Sequence, residues 1–365
     1  MSVLKSSVEN ELLHPPVRDD SEAMPEVVSE QTPDGGFRRQ RNWFTAQFGD
    51  GEGQWPVEAG RYRLLGSVGC GWARRQLILI RLLGLEDALP FVLLYGRDSQ
   101  GWRISDSDGD VVQRFGTDRL NDFYHATDPS YTGRGTSPTV IDTVTGHVVT
   151  NNYHLLPADL ETAWKPLHKA GAPDLYPSDL RPEIDLLNQQ LFDDVNNGTY
   201  KVIFARSSGA AHAAKTIFEA RLADYDFRLA SRRYLFGDRL TDSDVRLFQT
   251  LSSFERNYRP GFVDLFGQQE SIQISDFPHL WAYARDLFQH GLADEREKYF
   301  LGLVPGPSGE YIDKGVIRGN TSHLPSPEES LAAWNEPSGR ENLTGSSLYT
   351  GPGGGGSYEL WSFGQ

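Results

Sequence analysis

An α/β layer followed by an all-helical bundle, with an extended tail at each end, is the architecture the sequence predicts. Three observations carry it. Between Arg61 and Thr150 the chain alternates strand-like and helix-like stretches and closes on a hairpin. From Arg181 to Phe288 apolar residues recur at helical spacing, and both ends are polar and rich in Pro or Gly. At 365 residues there is enough chain for two domains, each with its own core. The composition shifts mark a 1–40 arm, a 41–165 α/β domain, a 166–319 helical domain and a 320–365 tail.

Residues 1–36 are acidic and interrupted by Pro15, Pro16, Pro25 and Pro33, which predicts an arm free in solution or draped over the rest. Arg61–Val68 is the first strand, and Trp72–Leu85, with Leu77, Ile80 and Leu83 in helical spacing, the first helix. Pro90–Tyr95 is a second strand. An irregular excursion carrying Trp102 on a loop follows, then a hairpin of Pro138–Asp142 and His147–Thr150 around Thr145-Gly146. This is the order of a thioredoxin-like layer. In the second half, Arg181–Val195 puts Ile184, Leu187, Leu191 and Val195 on one helical face, with Pro182 in the first turn, where its missing N–H is tolerated. After the break at Asn196-Asn197-Gly198, a second, longer helical region is predicted from Thr199 to about Asp226. Thr241 and Asp244 have the spacing of a capping box ahead of Val245, Phe248, Leu251 and Phe254, and Phe277–Phe288 is a further amphipathic helix. Beyond Asn320 the composition predicts little burial, although the final S-Y-E-L-W-S-F-G-Q has aromatics able to dock on the same subunit or a neighbour.

A formal charge of −15 and a pI near 5.0 argue against nucleic acid or anionic lipid as partner, because both are held by basic surfaces. No apolar run approaches the ~20 residues of a membrane span, and the first residues lack the apolar core of a signal peptide. A single cysteine forms no internal disulfide, which favours a reducing compartment and a cytoplasmic protein. The nine histidines show no metal-ligand spacing, so no metal is expected. G-P-G-G-G-G lacks the lysine and the strand-to-helix context of a phosphate loop.

That cysteine, Cys70, stands in S-V-G-C-G-W-A-R-R, where the first strand ends and the first helix begins. A free thiol ionises at about 8.5. A helix start is a place where backbone N–H groups, here those of Trp72 and Ala73, and the dipole favour the thiolate; Arg74 and Arg75 add positive charge.

The stretch G-R-Y-R-L-L-G-S-V-G-C-G-W-A-R-R resembles the corresponding turn of the glutathionyl-hydroquinone reductases, the xi class of the glutathione transferases, which carry C-P-W-A-H-R. The likeness continues through L-I-L-I-R-L-L-G-L-E-D, D-P-S-Y-T-G-R, D-L-Y-P-S-D-L-R-P-E-I-D, V-N-N-G-T-Y-K, T-D-S-D-V-R-L-F and D-F-P-H-L-W-A-Y, covering roughly residues 40 to 305. It implies a glutathione transferase fold and a homodimer. It also implies a reaction in which Cys70 attacks the sulfur of a thiol-conjugated hydroquinone, becomes a mixed disulfide and is regenerated by a second small thiol. By the same resemblance Tyr200 and Tyr299 are catalytic hydroxyls facing the phenolic oxygens, and Trp102, Trp72 and Arg74 contact the aromatic substrate. Ser137, Pro138, Tyr153 and His154 line the thiol, with Pro138 in the position of a cis-proline.

Departures from the pattern accompany the matches. Gly71 replaces a proline, Arg74 a histidine and Ser137 a valine, and Asn151-Asn152-Tyr153-His154 replaces N-N-E-S, whose glutamate pairs with the ammonium of glutathione. Chemistry at Cys70 with altered thiol recognition is therefore expected, the co-substrate being glutathione or a hydroxyl-rich thiol such as mycothiol. Two alternatives stand beside it: a catalytically altered relative that binds a ligand or partner, and an omega-like reductase of peroxide or dehydroascorbate using the same cysteine.

Overall fold

The structure, a computed structural model, describes residues 30–105, 110–306, 309–312, 319, 321–322 and 324–344. They form two compact units, one of residues 40–173 and one that joins residues 30–39 to the chain from Asp174 onward.

The first unit is a five-stranded sheet in the order β3-β2-β1-β4-β5, built from β1 (Tyr62–Gly66), β2 (Phe91–Asp98), β3 (Gly101–Ile104), β4 (Thr139–Asp142) and β5 (Val148–Thr150). β1 and β2 are parallel, which requires a crossover, and α1 (Gly71–Leu83) supplies it. The remaining pairs are antiparallel. Leu64, Leu65, Val92, Leu94, Val140 and Ile141 form its buried core. α1 is buried over most of its surface, and Leu77, one of the apolar positions read from the sequence, is partly exposed together with Arg81 and Leu82. Gly66 is where sheet and helix come closest, since a Cβ there would lie 2.7 Å from that of Ala73 and 2.9 Å from the Phe91 ring.

The expected irregular excursion holds regular structure: β3, α2 (Asp110–Phe115) and α3 (Leu120–Thr127). Trp102 is on strand β3, not on a loop, and packs half-buried against the core made by Leu65, Val92, Leu94, Ile104 and Phe123. α4 (Leu156–Glu161) follows the hairpin. Ahead of the sheet, Thr45 bridges Thr150, and the carboxylate of Asp159 accepts from the Phe48 N–H and the Gln47 amide, both at 3.3 Å.

The second unit is helical. It contains α5 (Arg181–Gln190), α6 (Gly198–Ile203), α7 (Ser208–Leu229), α8 (Asp242–Ser253), α9 (Arg259–Phe266), α10 (Pro278–Leu287), α11 (Glu295–Phe300) and α12 (Pro327–Trp334). Wider π turns at Leu191–Asn196, Phe254–Tyr258 and Phe288–Leu292 continue α5, α8 and α10. The faces read from the sequence are the buried ones: Ile184, Leu187, Leu191, Val195, Val245, Phe248 and Phe254 are all fully enclosed. Asp244 accepts from the N–H and hydroxyl of Thr241, the Leu235 N–H and the Tyr283 hydroxyl. The helical region predicted from Thr199 is made of two helices, α6 and α7. Ser207, extended in backbone, accepts from the Ala210 N–H and restarts the helix as α7.

The tail also departs from expectation. Pro327 opens α12 after a capping box of Ser326 and Glu329, and Trp334 is buried with ring centroids 4.6 Å from Trp281 and 4.9 Å from Phe288. Arg340, 3% exposed, donates to the carbonyls of Leu229, Arg232 and His279. The final aromatic stretch expected to dock lies outside the described residues. Among the described residues no helix is long and apolar enough to cross a membrane.

Candidate active site

Cys70 ends a turn in which its N–H donates to the Ser67 carbonyl at 2.9 Å, and it is the extended residue immediately before α1. Its side chain is half-buried, and Sγ donates to the carbonyl of Ser137 at 3.2 Å. The Ser137–Pro138 peptide is cis, and the Ser137 hydroxyl accepts from the Ser67 N–H at 2.9 Å. Two loops that carry the ends of β1 and β4 are thereby tied to each other beside the sulfur.

One electrostatic expectation is corrected. The N–H groups do not cap the sulfur, because that of Ala73, with that of Arg74, goes to Cys70's own carbonyl at 3.1 and 3.0 Å, and the side chain accepts no capping hydrogen bond. Arg75 is buried, its guanidinium donating to the Tyr153 carbonyl and lying 5.9 Å from the Trp72 ring.

Trp72 is 4% exposed and packs on Tyr153 with ring centroids 4.7 Å apart; Arg74 is fully buried. Both are the residues expected to contact substrate, and both side chains are buried. Tyr153, only 6% exposed, is a wall of the site, and His154, half-buried, lies 4.3 Å from it ring to ring. Asn151 and Asn152, not singled out from the sequence, organise this corner. The Asn151 Oδ1 accepts from the N–H groups of Trp43 and Phe44, its amide donates to Thr136, and the Asn152 Oδ1 accepts from the His154 N–H. The pair Asn-Asn straight after a strand was the available signal, since an Asn side chain readily caps its own turn.

The structure thus brings Cys70, Ser137, Pro138, Trp72, Arg74, Tyr153 and His154 to one end of the sheet. Trp102 belongs to the same unit but sits on the edge strand β3, two strands from β1.

Tyr200 and Tyr299 belong to the helical unit. Tyr200, half-buried on α6, is enclosed by aromatic rings, Phe204 at 5.8 Å, Tyr258 at 5.7 Å and Phe37 at 6.3 Å, with the Arg39 guanidinium 4.2 Å from its ring centre. The π turns ending at Asn196 and Tyr258 both lead into this cluster. Tyr299, half-buried on α11, is 6.0 Å from Phe300 and lies against Gly306, where a Cβ would approach its ring to 2.8 Å. Asp286, His290 and Glu341, which sequence spacing did not connect, converge in the same unit. The Asp286 carboxylate is already taken by Arg233, at 2.9 and 3.1 Å, whose charge opposes a cation there.

Residues 204–286 match the family model "Glutathione S-transferase, C-terminal domain". The chain is 33% identical to the glutathionyl-hydroquinone reductase YqjG of Escherichia coli over 316 residues, 82% of this chain and 90% of that protein. The glutathione-bound structure of YqjG is similar at 31% identity with a TM-score of 0.64, covering 85% of this chain and 98% of that one. The structure of the xi glutathione transferase of Phanerochaete chrysosporium is similar at 29% identity and a TM-score of 0.64, covering 75% and 90% of the two chains. A thioredoxin-like sheet carrying a half-buried cysteine at the start of its first helix, a helical second unit and these likenesses agree: the chain belongs to the glutathionyl-hydroquinone reductases, the xi class of the glutathione transferases.

Proposed function

We propose that this enzyme removes a small thiol from thiol-conjugated hydroquinones, with Cys70 as the nucleophile. The observation that carries the reading is the half-buried Sγ 3.2 Å from the carbonyl that precedes the cis-proline, at the start of α1. The thiol first gives its proton to water. The Cys70 thiolate then attacks the conjugate's sulfur, forming an S–S bond as the S–C bond to the ring breaks. With that ring carbon already protonated, in the keto tautomer, the electron pair of the broken bond restores the aromatic ring and leaves the charge on a phenolic oxygen. In the role that the family pattern gives them, the hydroxyls of Tyr200 and Tyr299 are the donors to that oxygen, and protonation completes the hydroquinone. A second thiolate attacks the mixed disulfide, releases the symmetrical disulfide of the small thiol and restores Cys70. No resolving cysteine is needed.

Cys70→Ser is expected to abolish release of hydroquinone from its glutathionyl conjugate while leaving the circular dichroism and melting temperature unchanged. Intact-mass analysis of wild type after one turnover without free thiol should show a single thiol adduct. Undiminished turnover in Cys70→Ser rejects the reading.

The identity of the thiol is a separate reading, favoured by the buried Tyr153. Tyr153 and His154 stand where the family pattern has a carboxylate for the ammonium of glutathione, and Tyr153 is committed to packing on Trp72. A thiol that needs no such ion pair, such as mycothiol, is expected to regenerate Cys70 from its mixed disulfide at least as fast as glutathione. Faster regeneration by glutathione assigns glutathione instead.

A further inference from the structure

Residues 30–39 form a small hairpin. Gln31 bridges Phe37, the Arg38 N–H donates to the Glu30 carbonyl, and Gly35 makes the turn at φ +86°, a backbone that favours glycine. The hairpin is seated on the junction of α6 and α7. The Gln31 amide donates to the Phe204 carbonyl, the Ser207 hydroxyl to the Asp34 carbonyl, and the Arg206 N–H to the Gly35 carbonyl. At Gly35 a Cβ would sit 2.9 Å from that of Ser207, so the seat admits no larger residue without shifting. Its outgoing strand delivers Phe37 and Arg39 to Tyr200. Arg39 Nε donates to Asn197 Oδ1 at 2.9 Å, which steers the guanidinium over the Tyr200 ring at 4.2 Å.

A cation over a phenol ring does two things. It holds the ring by attraction to the π-face, and it withdraws electron density, which makes the hydroxyl a stronger hydrogen-bond donor. We propose that Arg39, anchored by Asn197, is a positioning residue for Tyr200: it fixes the hydroxyl's direction and strengthens its donation to the phenolic oxygen of the departing ring. This rests on the reading above, that Tyr200 faces that oxygen. The 30–39 hairpin is then part of the reductase machinery and not merely a covering arm, and Arg39 favours conjugates whose rings leave as phenolates.

The test is a double-mutant cycle on the full chain with the glutathionyl conjugate of benzohydroquinone as substrate. Arg39→Ala is expected to lower kcat about tenfold, the size of a partly desolvated cation–π contact, with KM for the regenerating thiol unchanged. Arg39→Lys, which keeps the charge, should recover to within about threefold of wild type. In the Tyr200→Phe background, Arg39→Ala should cost less than about twofold, because its effect passes through the hydroxyl already removed. Asn197→Ala, which unties the guanidinium without deleting it, should lower kcat in the same direction and serves if Arg39→Ala fails to fold. The proposal is overturned if Tyr200→Phe slows the reaction while Arg39→Ala does not. It is equally overturned if the two losses multiply in the double variant. A Tyr200→Phe enzyme with wild-type kcat instead rejects the assignment of Tyr200 itself, and this inference falls with it.

Discussion

At the scale of single residues, the site is held by amides that do no chemistry. Asn151 is 2% exposed and satisfies two backbone N–H groups, of Trp43 and Phe44, while tying itself to Thr136 next to Ser137. Truncation leaves those donors buried without an acceptor, and that loss outweighs the missing contacts. Asn151→Ala is therefore expected to cost about 2–3 kcal/mol, read from a lower urea midpoint at unchanged slope. Asn151→Asp, which keeps the acceptor, should recover most of it. The cysteine, its position before a helix and the proline at 138 were all legible in the chain. The destination of the first-turn N–H groups was not, because whether they cap a side chain or the preceding carbonyl is decided by a backbone angle that residue types alone leave open.

At the scale of elements, the pairing of the 43–55 stretch with α4 depends on one buried carboxyl. Burial pushes Asp159 up to about 7, against the Phe48 N–H and Gln47 amide that pull it down. Its folded value lies above its unfolded one, so its contribution is fully present below about pH 4 and is lost as pH rises through about 7. Asp159→Asn should match wild type near pH 4 and exceed it at pH 8 by an amount on the order of a few kcal/mol, in urea titrations at the two pH values. Glu255, also pushed to about 7 by burial against the Ile274 N–H and Arg259, acts in the same direction in the helical unit. In the tail, α12 is held by Trp334 among Trp281, Phe288 and Phe248. Trp334→Ala removes an anchor of the kind that costs about 3–5 kcal/mol in a core. The measured loss is capped by the docking energy of the segment, since a detached tail relieves the strain. Faster tryptic cleavage at Arg340 is the expected sign. That helix was hidden because prolines and glutamates read as loop composition, whereas Pro327 and Glu329 are the residues that start it. β3 was hidden because four residues, GWRI, are too few for a periodic signal.

At the scale of the whole molecule, the order of elements and the faces they bury were legible, since periodicity reports which side of a helix or strand meets a core. The partition of the chain was less so. A boundary drawn at residue 40 makes the first segment an arm, yet residues 30–39 belong to the helical unit, joined to it by hydrogen bonds to residues 197–207. Removing the first 39 residues should lower the melting temperature by several degrees, roughly the effect of 1–2 kcal/mol in a domain of this size, by calorimetry. Gln31 and its acceptor at Phe204 are 173 residues apart. A ribosome adding about 5–20 residues per second makes that interval roughly 10–30 s. Throughout it the hairpin's seat does not yet exist, so the nascent chain carries Phe37 exposed. Protection of that aromatic early in synthesis thus falls to the ribosome surface or to a chaperone, until the 197–207 stretch has been made and the beginning of the chain can return to it.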